Sequence, residues 1–199
     1  MQRSDIPDVV RVHLASFEGF FLSFLGDRFL QLYYESICDF RQLCFVATRD
    51  SEIVGFVAGI DNSFSFYRSL LRYRMHRFAM AAVPALLQRP SIAPRLVRAL
   101  LKGSQGEAGK ENSVTLTSIA VHPDVQKGGL GHELLQRFMD EALSRKIRRI
   151  YLETDAVGNE PVCRFYEKEG FVVSREYTTP ENRKMREYLL EIARIKEQE

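Results

Sequence analysis

The sequence predicts an α/β (α+β) fold: a single domain over residues 1–199, with a mixed, mostly antiparallel sheet flanked by helices and a helical, basic insertion at about 62–112. Two observations carry this prediction. Helical and strand periodicities follow one another as two helices, a hairpin, the insertion, and then strand–helix–strand–helix–strand–strand. The composition, 45% apolar and 27% charged over 199 residues, is that of a globular domain with a sizeable core.

The N-terminal part predicts two helices and a hairpin. Ser4-Asp5, followed by Pro7, is a helix start, and apolar residues at helical spacing predict a second helix over 22–40. Two short β-rich runs, 43–48 and 53–60, are separated by a polar tetrapeptide and predict a β-hairpin.

The C-terminal part predicts alternating strands and helices. Gly170 is a natural stop for the second of its helices. In order, the predicted elements are a strand at 114–121, a helix from the glycine turn to about 146, a strand at 149–154, a helix at 159–169 and an antiparallel pair at 171–177 and 185–192.

The insertion is distinguished by its charge. No Asp or Glu occurs from Asn62 to Gly106, while eight Arg and Lys residues give this segment +8, so that the chain's +2 leaves −6 for the rest. Two helices are predicted inside it, punctuated by Pro84, Pro90 and Pro94. The first, over 64–82, is predicted to pack through Tyr67, Leu70, Leu71, Met75, Phe78 and Ala82, and the second covers 92–101.

Several classes of protein are disfavoured. The N-terminus has no apolar core for a signal peptide, and the longest apolar stretch, 79–87, is too short for a membrane span. Three irregularly placed cysteines suit neither a disulfide framework nor a zinc site, so we expect reduced thiols in a cytoplasmic protein that needs no metal.

A glycine cluster lies at the N-terminus of the predicted helix that follows the 114–121 strand. Its members are Gly128, Gly129 and Gly131. A helix N-terminus has unpaired N–H groups that attract phosphate, and glycines allow a ligand to approach the backbone. The spacing fits neither a Walker A loop, since Lys127 precedes the glycines, nor the dinucleotide pattern, since Leu134 occupies the third glycine position. A tight turn with no ligand is the alternative.

Two motifs in this region resemble those of the GCN5-related N-acetyltransferases. The first, V-x-P-x-x-Q-x-x-G-x-G, is similar to that family's acyl-CoA signature. The second is similar to its N-x-x-A-x-x-[LF]-Y-x-x-x-G-F helix, with Val162 where the family has a smaller residue. The matching residues are Val121, Pro123, Gln126, Gly129 and Gly131 in the first motif, and Asn159, Phe165, Tyr166, Gly170 and Phe171 in the second.

The resemblance implies acetyl-CoA as co-substrate. The strand end Ile119-Ala120-Val121 would splay from its neighbour, through a bulge, and pair with the pantetheine amides, while Asn159 would bond the cofactor arm. The alternation that falters at Thr117-Ser118 is compatible with such a bulge. Backbone N–H groups would cradle the pyrophosphate at Gln126, Lys127, Gly128, Gly129, Leu130 and Gly131.

The resemblance also implies direct attack of a primary amine on the thioester. Tyr166 matches the family's general acid, although it could be only a core aromatic. Glu153 is the first candidate for the base; it could equally be a solvated partner of an arginine, with water relayed from Thr117 or Ser118 instead. We interpret His122 as a turn residue near the phosphates.

The acceptor depends on the role of the insertion. It could be a lid with solvated arginines, a site for an anionic acceptor, or an interfacial helix on anionic lipid. We favour a small-molecule amine, such as an amino sugar; the alternatives are a protein or peptide amine, and a non-catalytic acyl-CoA-binding module. No nucleic acid is expected, because no recognised motif accompanies the charge. The closing strands offer an edge for a homodimer.

Overall fold

The computed structural model describes residues 1–61, 63–98, 112–125 and 128–192. Its strands are β1 (Leu43–Arg49), β2 (Glu52–Ile60), β3 (Ser113–Val121), β4 (Arg149–Asp155), β5 (Val172–Thr178) and β6 (Lys184–Glu191). Its helices are α1 (Ile6–Ser16), α2 (Phe21–Phe24), α3 (Asp27–Asp39), α4 (Ser63–Gln88), α5 (Leu130–Ser144) and α6 (Glu160–Lys168), and residues 93–98 are also helical.

The six strands form one mixed sheet in the order β1-β2-β3-β4-β6-β5. Every neighbouring pair is antiparallel except β3 and β4, which are parallel and joined through α5 as a crossover. The predicted fold class is therefore confirmed. β5 is an edge strand with Val172 exposed, and the homodimer stays a prediction.

Hydrophobic clusters cover both faces of the sheet. Along β2, Phe56 and Ala58 belong to the cluster that α1, α3 and α4 cover, while Val57 belongs to the cluster that α5 and α6 cover. This is the period-two alternation of a strand that is buried on both sides.

The prediction of one helix over 22–40 is wrong. Gly26 has φ of 88° and separates the short α2 from α3. A left-handed residue cannot continue a right-handed helix, so the chain turns there. The hairpin prediction is confirmed, with Asp50 and Ser51 both at positive φ as in a tight two-residue turn.

The helical predictions in the insertion need correction. The first helix runs to Gln88, because Pro84 lies on its exposed side, where the carbonyl that loses its hydrogen bond can be hydrated. Residues 93–98 of the second predicted helix are helical; its remainder lies outside the described residues.

The packed face of α4 also differs from the prediction. Met75 is 57% exposed, whereas Arg74 lies on the packed face and forms an ion pair with Asp39 of α3. The aliphatic part of an arginine side chain can be buried while its guanidinium still reaches a carboxylate. Arg74 therefore takes the place on the packed face that the hydrophobic pattern assigned to Met75. The buried stripe is Phe66, Leu70, Phe78, Ala81, Ala82 and Ala85.

Candidate active site

The sheet opens between its two central strands. β3 and β4 pair only through Ser113–Thr115 and Arg149–Tyr151, although each strand continues further. A cavity of about 1050 Å³ occupies the gap, lined by residues from Leu116 to Val121 on one strand and Leu152 to Asp155 on the other. The splayed strand end predicted from Ile119, Ala120 and Val121 is therefore present.

A bulge lies at the point where β3 turns away. Ala58 is opposite Ser118 and Gly59 is opposite Leu116, so Thr117 is the extra residue on β3. The sequence predicted an irregularity at this position. At the far end of the strand, the Ser16 hydroxyl of α1 donates to the Val121 carbonyl at 3.2 Å and holds the diverging segment against the first helix.

The glycine turn opens onto the same cavity. Gly129 has φ of 76° and is the N-cap of α5. The N–H groups of a helix's first turn have no intrahelical partner, and no described side chain caps them here. Among the described residues, a Cβ built on Gly129 would meet nothing within 4 Å, and one on Gly128 would meet only an Arg49 nitrogen at 3.7 Å. This is free space beside exposed N–H groups, which fits a phosphate-bearing cofactor arm.

The described part of the glycine turn matches the prediction in position. Gly128, Gly129, Leu130 and Gly131 all line the cavity. Gln126 and Lys127, predicted to share in the same cradle, lie outside the described residues. His122 lies in the preceding turn, where its backbone N–H donates to the Val54 carbonyl at 2.8 Å.

The second motif faces the first across the cavity. Asn159, the N-cap of α6, lines the cavity and donates one amide N–H to the Thr154 hydroxyl at 2.6 Å. An asparagine amide has two N–H donors, so a second one could bond a ligand in the cavity.

Tyr166 lies in the second turn of α6 and lines the same cavity while packing against Phe171 and Tyr188. Only 7% of Tyr166 is exposed, and burial raises the pKa of its phenol well above the ordinary value. The phenol is therefore protonated at neutral pH and is positioned as a donor.

Glu153 lies on the β4 side of the opening. Its side chain lines the cavity, and a carboxylate oxygen is 3.8 Å from the Arg175 guanidinium of β5. Arg175 is therefore one arginine that accompanies Glu153. A carboxylate at the cavity wall can accept a proton from a bound amine.

The sequence analysis missed several cavity residues, among them His13 and Arg95. His13 of α1 is 2% exposed, its Nδ1 is 2.8 Å from the Tyr34 hydroxyl, and its Nε2 is buried with no hydrogen-bond partner in the described part of the chain. Burial lowers the pKa of His13 to about 4, so the imidazole is neutral. A histidine on an apolar helix face carries no sequence signal that distinguishes it from a core residue.

Another missed residue is Arg95, in the helical stretch 93–98. Its guanidinium lies 4.3 Å from the centroid of the Phe21 ring at the cavity wall. Arg183 also lines the cavity, but it is paired with Asp155 at 2.6 Å, whereas no described carboxylate is within ion-pair distance of Arg95. The lack of Asp and Glu in the insertion indicated that some of its arginines could bind an anion. It did not indicate which arginine reaches the cavity.

Within the described residues, no group of three or more His, Cys, Asp or Glu side chains could hold a metal ion.

Comparisons with known proteins agree with this geometry. The sequence profile of the acetyltransferase (GNAT) family matches residues 10–171. The [ribosomal protein bS18]-alanine N-acetyltransferase of Escherichia coli K12 is 40% identical over 60 residues, which are 30% of this chain and 40% of that protein. The enzyme of the same name from Salmonella typhimurium matches to the same extent. The chain thus spans two fifths of the length of these relatives.

Solved structures share the fold at low identity. The ribosomal-protein-alanine N-acetyltransferase of Brucella melitensis superposes with a TM-score of 0.64 at 14% identity, covering 96% of each chain. The Salmonella typhimurium protein yncA, determined with its cofactor acetyl-CoA, gives a TM-score of 0.60 at 16% identity over 96% of this chain and 91% of that one.

Proposed function

The chain belongs to the acetyltransferase (GNAT) family, and on that premise we propose that it is an acetyl-CoA-dependent N-acetyltransferase. The observation that carries the proposal is the single cavity onto which the bulged end of β3, the glycine turn, Tyr166 and Glu153 all open. The free space at Gly129 and the unpaired strand edge fit the phosphates and amides of such a cofactor.

Acetyl-CoA would supply an acetyl thioester whose carbonyl carbon an amine attacks directly, so that a C–N bond forms and the C–S bond breaks. Glu153 would accept the proton that the amine loses. Tyr166 would donate a hydrogen bond to the sulfur as negative charge develops on it. Because burial raises the pKa of Tyr166, while a free thiol has a pKa of about 8.5, the phenol is better suited to this donation than to complete proton transfer.

The acceptor that we propose first is the α-amine of a polypeptide. Its support is the local 40% identity to enzymes named for the alanine of ribosomal protein bS18. This reverses the preference for a small molecule that the sequence alone suggested.

A second acceptor class is favoured by one observation, the position of Arg95. A guanidinium that lines the cavity, without a described carboxylate partner, suits a small amine that also carries a carboxylate or phosphate. The neighbouring Arg98 pairs with Glu181 of the β5–β6 connection, which brings the insertion against the rim near Arg183.

The test has two steps. Acetyl-CoA at a hundred times its Kd should stabilise the fold by about 2.7 kcal/mol, which raises Tm by roughly 5 to 10 °C. Mass spectrometry should then detect acetylation of a peptide with a free N-terminal alanine, and none of the same peptide with a blocked N-terminus. Turnover of anionic small amines alone would select the second class, and absence of any thermal shift would contradict the proposal.

A further inference from the structure

Exposed apolar side chains are concentrated on the insertion. Of the thirteen large hydrophobic residues that are exposed in the described part of the chain, seven lie between residues 64 and 97. Soluble proteins seldom gather exposed apolar residues in this way without a binding role. The seven are Phe64, Tyr73, Met75, Met80, Val83, Leu87 and Val97.

Five residues of α4 form a line along its solvent side, which we name the outer stripe: Arg72, His76, Met80, Val83 and Leu87. Their spacing of three or four residues places them on one face of the helix, about 22 Å long. All five are exposed, Leu87 by 79%. The opposite face is already packed against α3 and β2, so the outer stripe is a second, separate surface.

The charge that α4 leaves without a described carboxylate partner is positive. Arg74 and Arg77 have carboxylate partners on α3, namely Asp39 and, at 3.6 Å, Glu35. Arg68 and Arg72 instead lie beside the rings of Phe64 and Tyr73, at 5.8 and 5.5 Å, and no described carboxylate is within ion-pair distance of either. The N-terminal half of this face is therefore basic, while the C-terminal half is apolar.

We propose that the outer stripe of α4 rests on an anionic lipid surface. Met80, Val83 and Leu87 would enter the boundary between headgroups and acyl chains, and Arg68 and Arg72 would pair with lipid phosphates. No described helix is long and apolar enough to cross a membrane; the contact that we propose is interfacial. A second copy of the chain fits this face less well, because a symmetric contact would set its uncompensated arginines either against those of the partner or against the partner's apolar half.

The experiment is co-sedimentation of the full chain with vesicles made of equal parts phosphatidylcholine and phosphatidylglycerol, or of phosphatidylcholine alone. We expect binding to the anionic vesicles, little binding to the neutral ones, and a bound fraction that falls as salt is added. Leu87→Glu should lower the partition coefficient by roughly tenfold or more, since it removes apolar burial and adds a repelled charge. The double variant R68Q/R72Q should have an effect of similar size.

The matched control is Val172→Glu, which adds the same charge at an exposed valine on the edge strand β5 and should bind like the wild type. As a control for folding, each variant must keep the acetyl-CoA thermal shift of the wild type. If Leu87→Glu does not fold, Met80→Glu is used in its place. Equal binding to both vesicle types, or unchanged binding of Leu87→Glu, would overturn the proposal. So would a lipid-free dimer that Leu87→Glu dissociates, or binding to polyglutamate but not to vesicles.

Discussion

The Thr117 hydroxyl donates a hydrogen bond of 3.1 Å to the backbone carbonyl of Ala58, at the step where the register between β2 and β3 slips. The bulged residue thus bonds the neighbouring strand through its side chain while the backbone bends away from β4. The gap in the sheet is consequently a property of the strand itself and does not need a ligand to open it. A cofactor that pairs with β3 would find the unpaired edge already formed.

Gly131→Ala should weaken acetyl-CoA binding without destabilising the fold. A Cβ at this position would meet only Phe165 ring carbons at 3.8 Å, an ordinary contact, and alanine is the better helix former by about 1 kcal/mol. The added methyl would nevertheless stand in the first turn of α5, where the phosphates are proposed to bind. We expect Kd from calorimetry to rise roughly tenfold, about 1.4 kcal/mol. An unchanged Kd would contradict the proposal that the phosphates bind at the first turn of α5.

Tyr166→Phe should lower kcat by roughly a hundredfold, with little change in the Kd of acetyl-CoA. Phenylalanine keeps the packing against Phe171 and Tyr188, so the loss would come from the hydroxyl. The control is Tyr188→Phe, which removes a hydroxyl from the same cluster; that hydroxyl bonds Glu167 at 2.8 Å. If both variants lose activity equally in steady-state assays, Tyr166 is a packing residue.

Glu153→Gln should lower kcat near neutral pH and recover part of it at high pH, where the amine loses its proton without help. The side chain keeps its size, so binding of both substrates should change little. The comparison is Glu176→Gln, an exposed carboxylate on β5 paired with Arg186. A pH–rate profile of Glu153→Gln that coincides with the wild type would favour the alternative route, water relayed from Thr117 or Ser118.

The sequence predicted those parts of the site that depend on local patterns. Strand alternation that fails at Thr117, glycines before a helix, and Asn159 at a helix start each have a signature within a few residues. Each of these features lies at the position predicted for it, although the roles assigned to the residues remain predictions.

The parts that the sequence did not predict depend on contacts between distant segments. His13 lines the cavity because α1 packs beside the end of β3, as in the bond between Ser16 and Val121, which are 105 residues apart. The packed face of α4 likewise follows from the pairing of Arg74 with Asp39, 35 residues earlier. A hydrophobic pattern cannot assign a half-buried, ion-paired arginine or a buried histidine, because both are defined by contacts with distant segments.

The buried imidazole of His13 should make the protein less stable in acid. Burial lowers the pKa of His13 to about 4, whereas an unfolded chain has the ordinary value of about 6.5. Between these values the unfolded state takes up a proton that the folded state does not. The contribution is therefore fully present above pH 6.5 and is lost as the pH falls towards 4, a decrease of about 3 kcal/mol in the free energy of unfolding.

Urea unfolding at several pH values across that window tests this linkage. His13→Gln can keep a hydrogen bond to the Tyr34 hydroxyl but takes up no proton, so its free energy of unfolding should depend less steeply on pH than that of the wild type. His76→Gln changes an exposed histidine of α4 and should leave the wild-type slope unchanged. If His13→Gln keeps the full acid sensitivity, other groups are responsible and the imidazole is charged in the folded state.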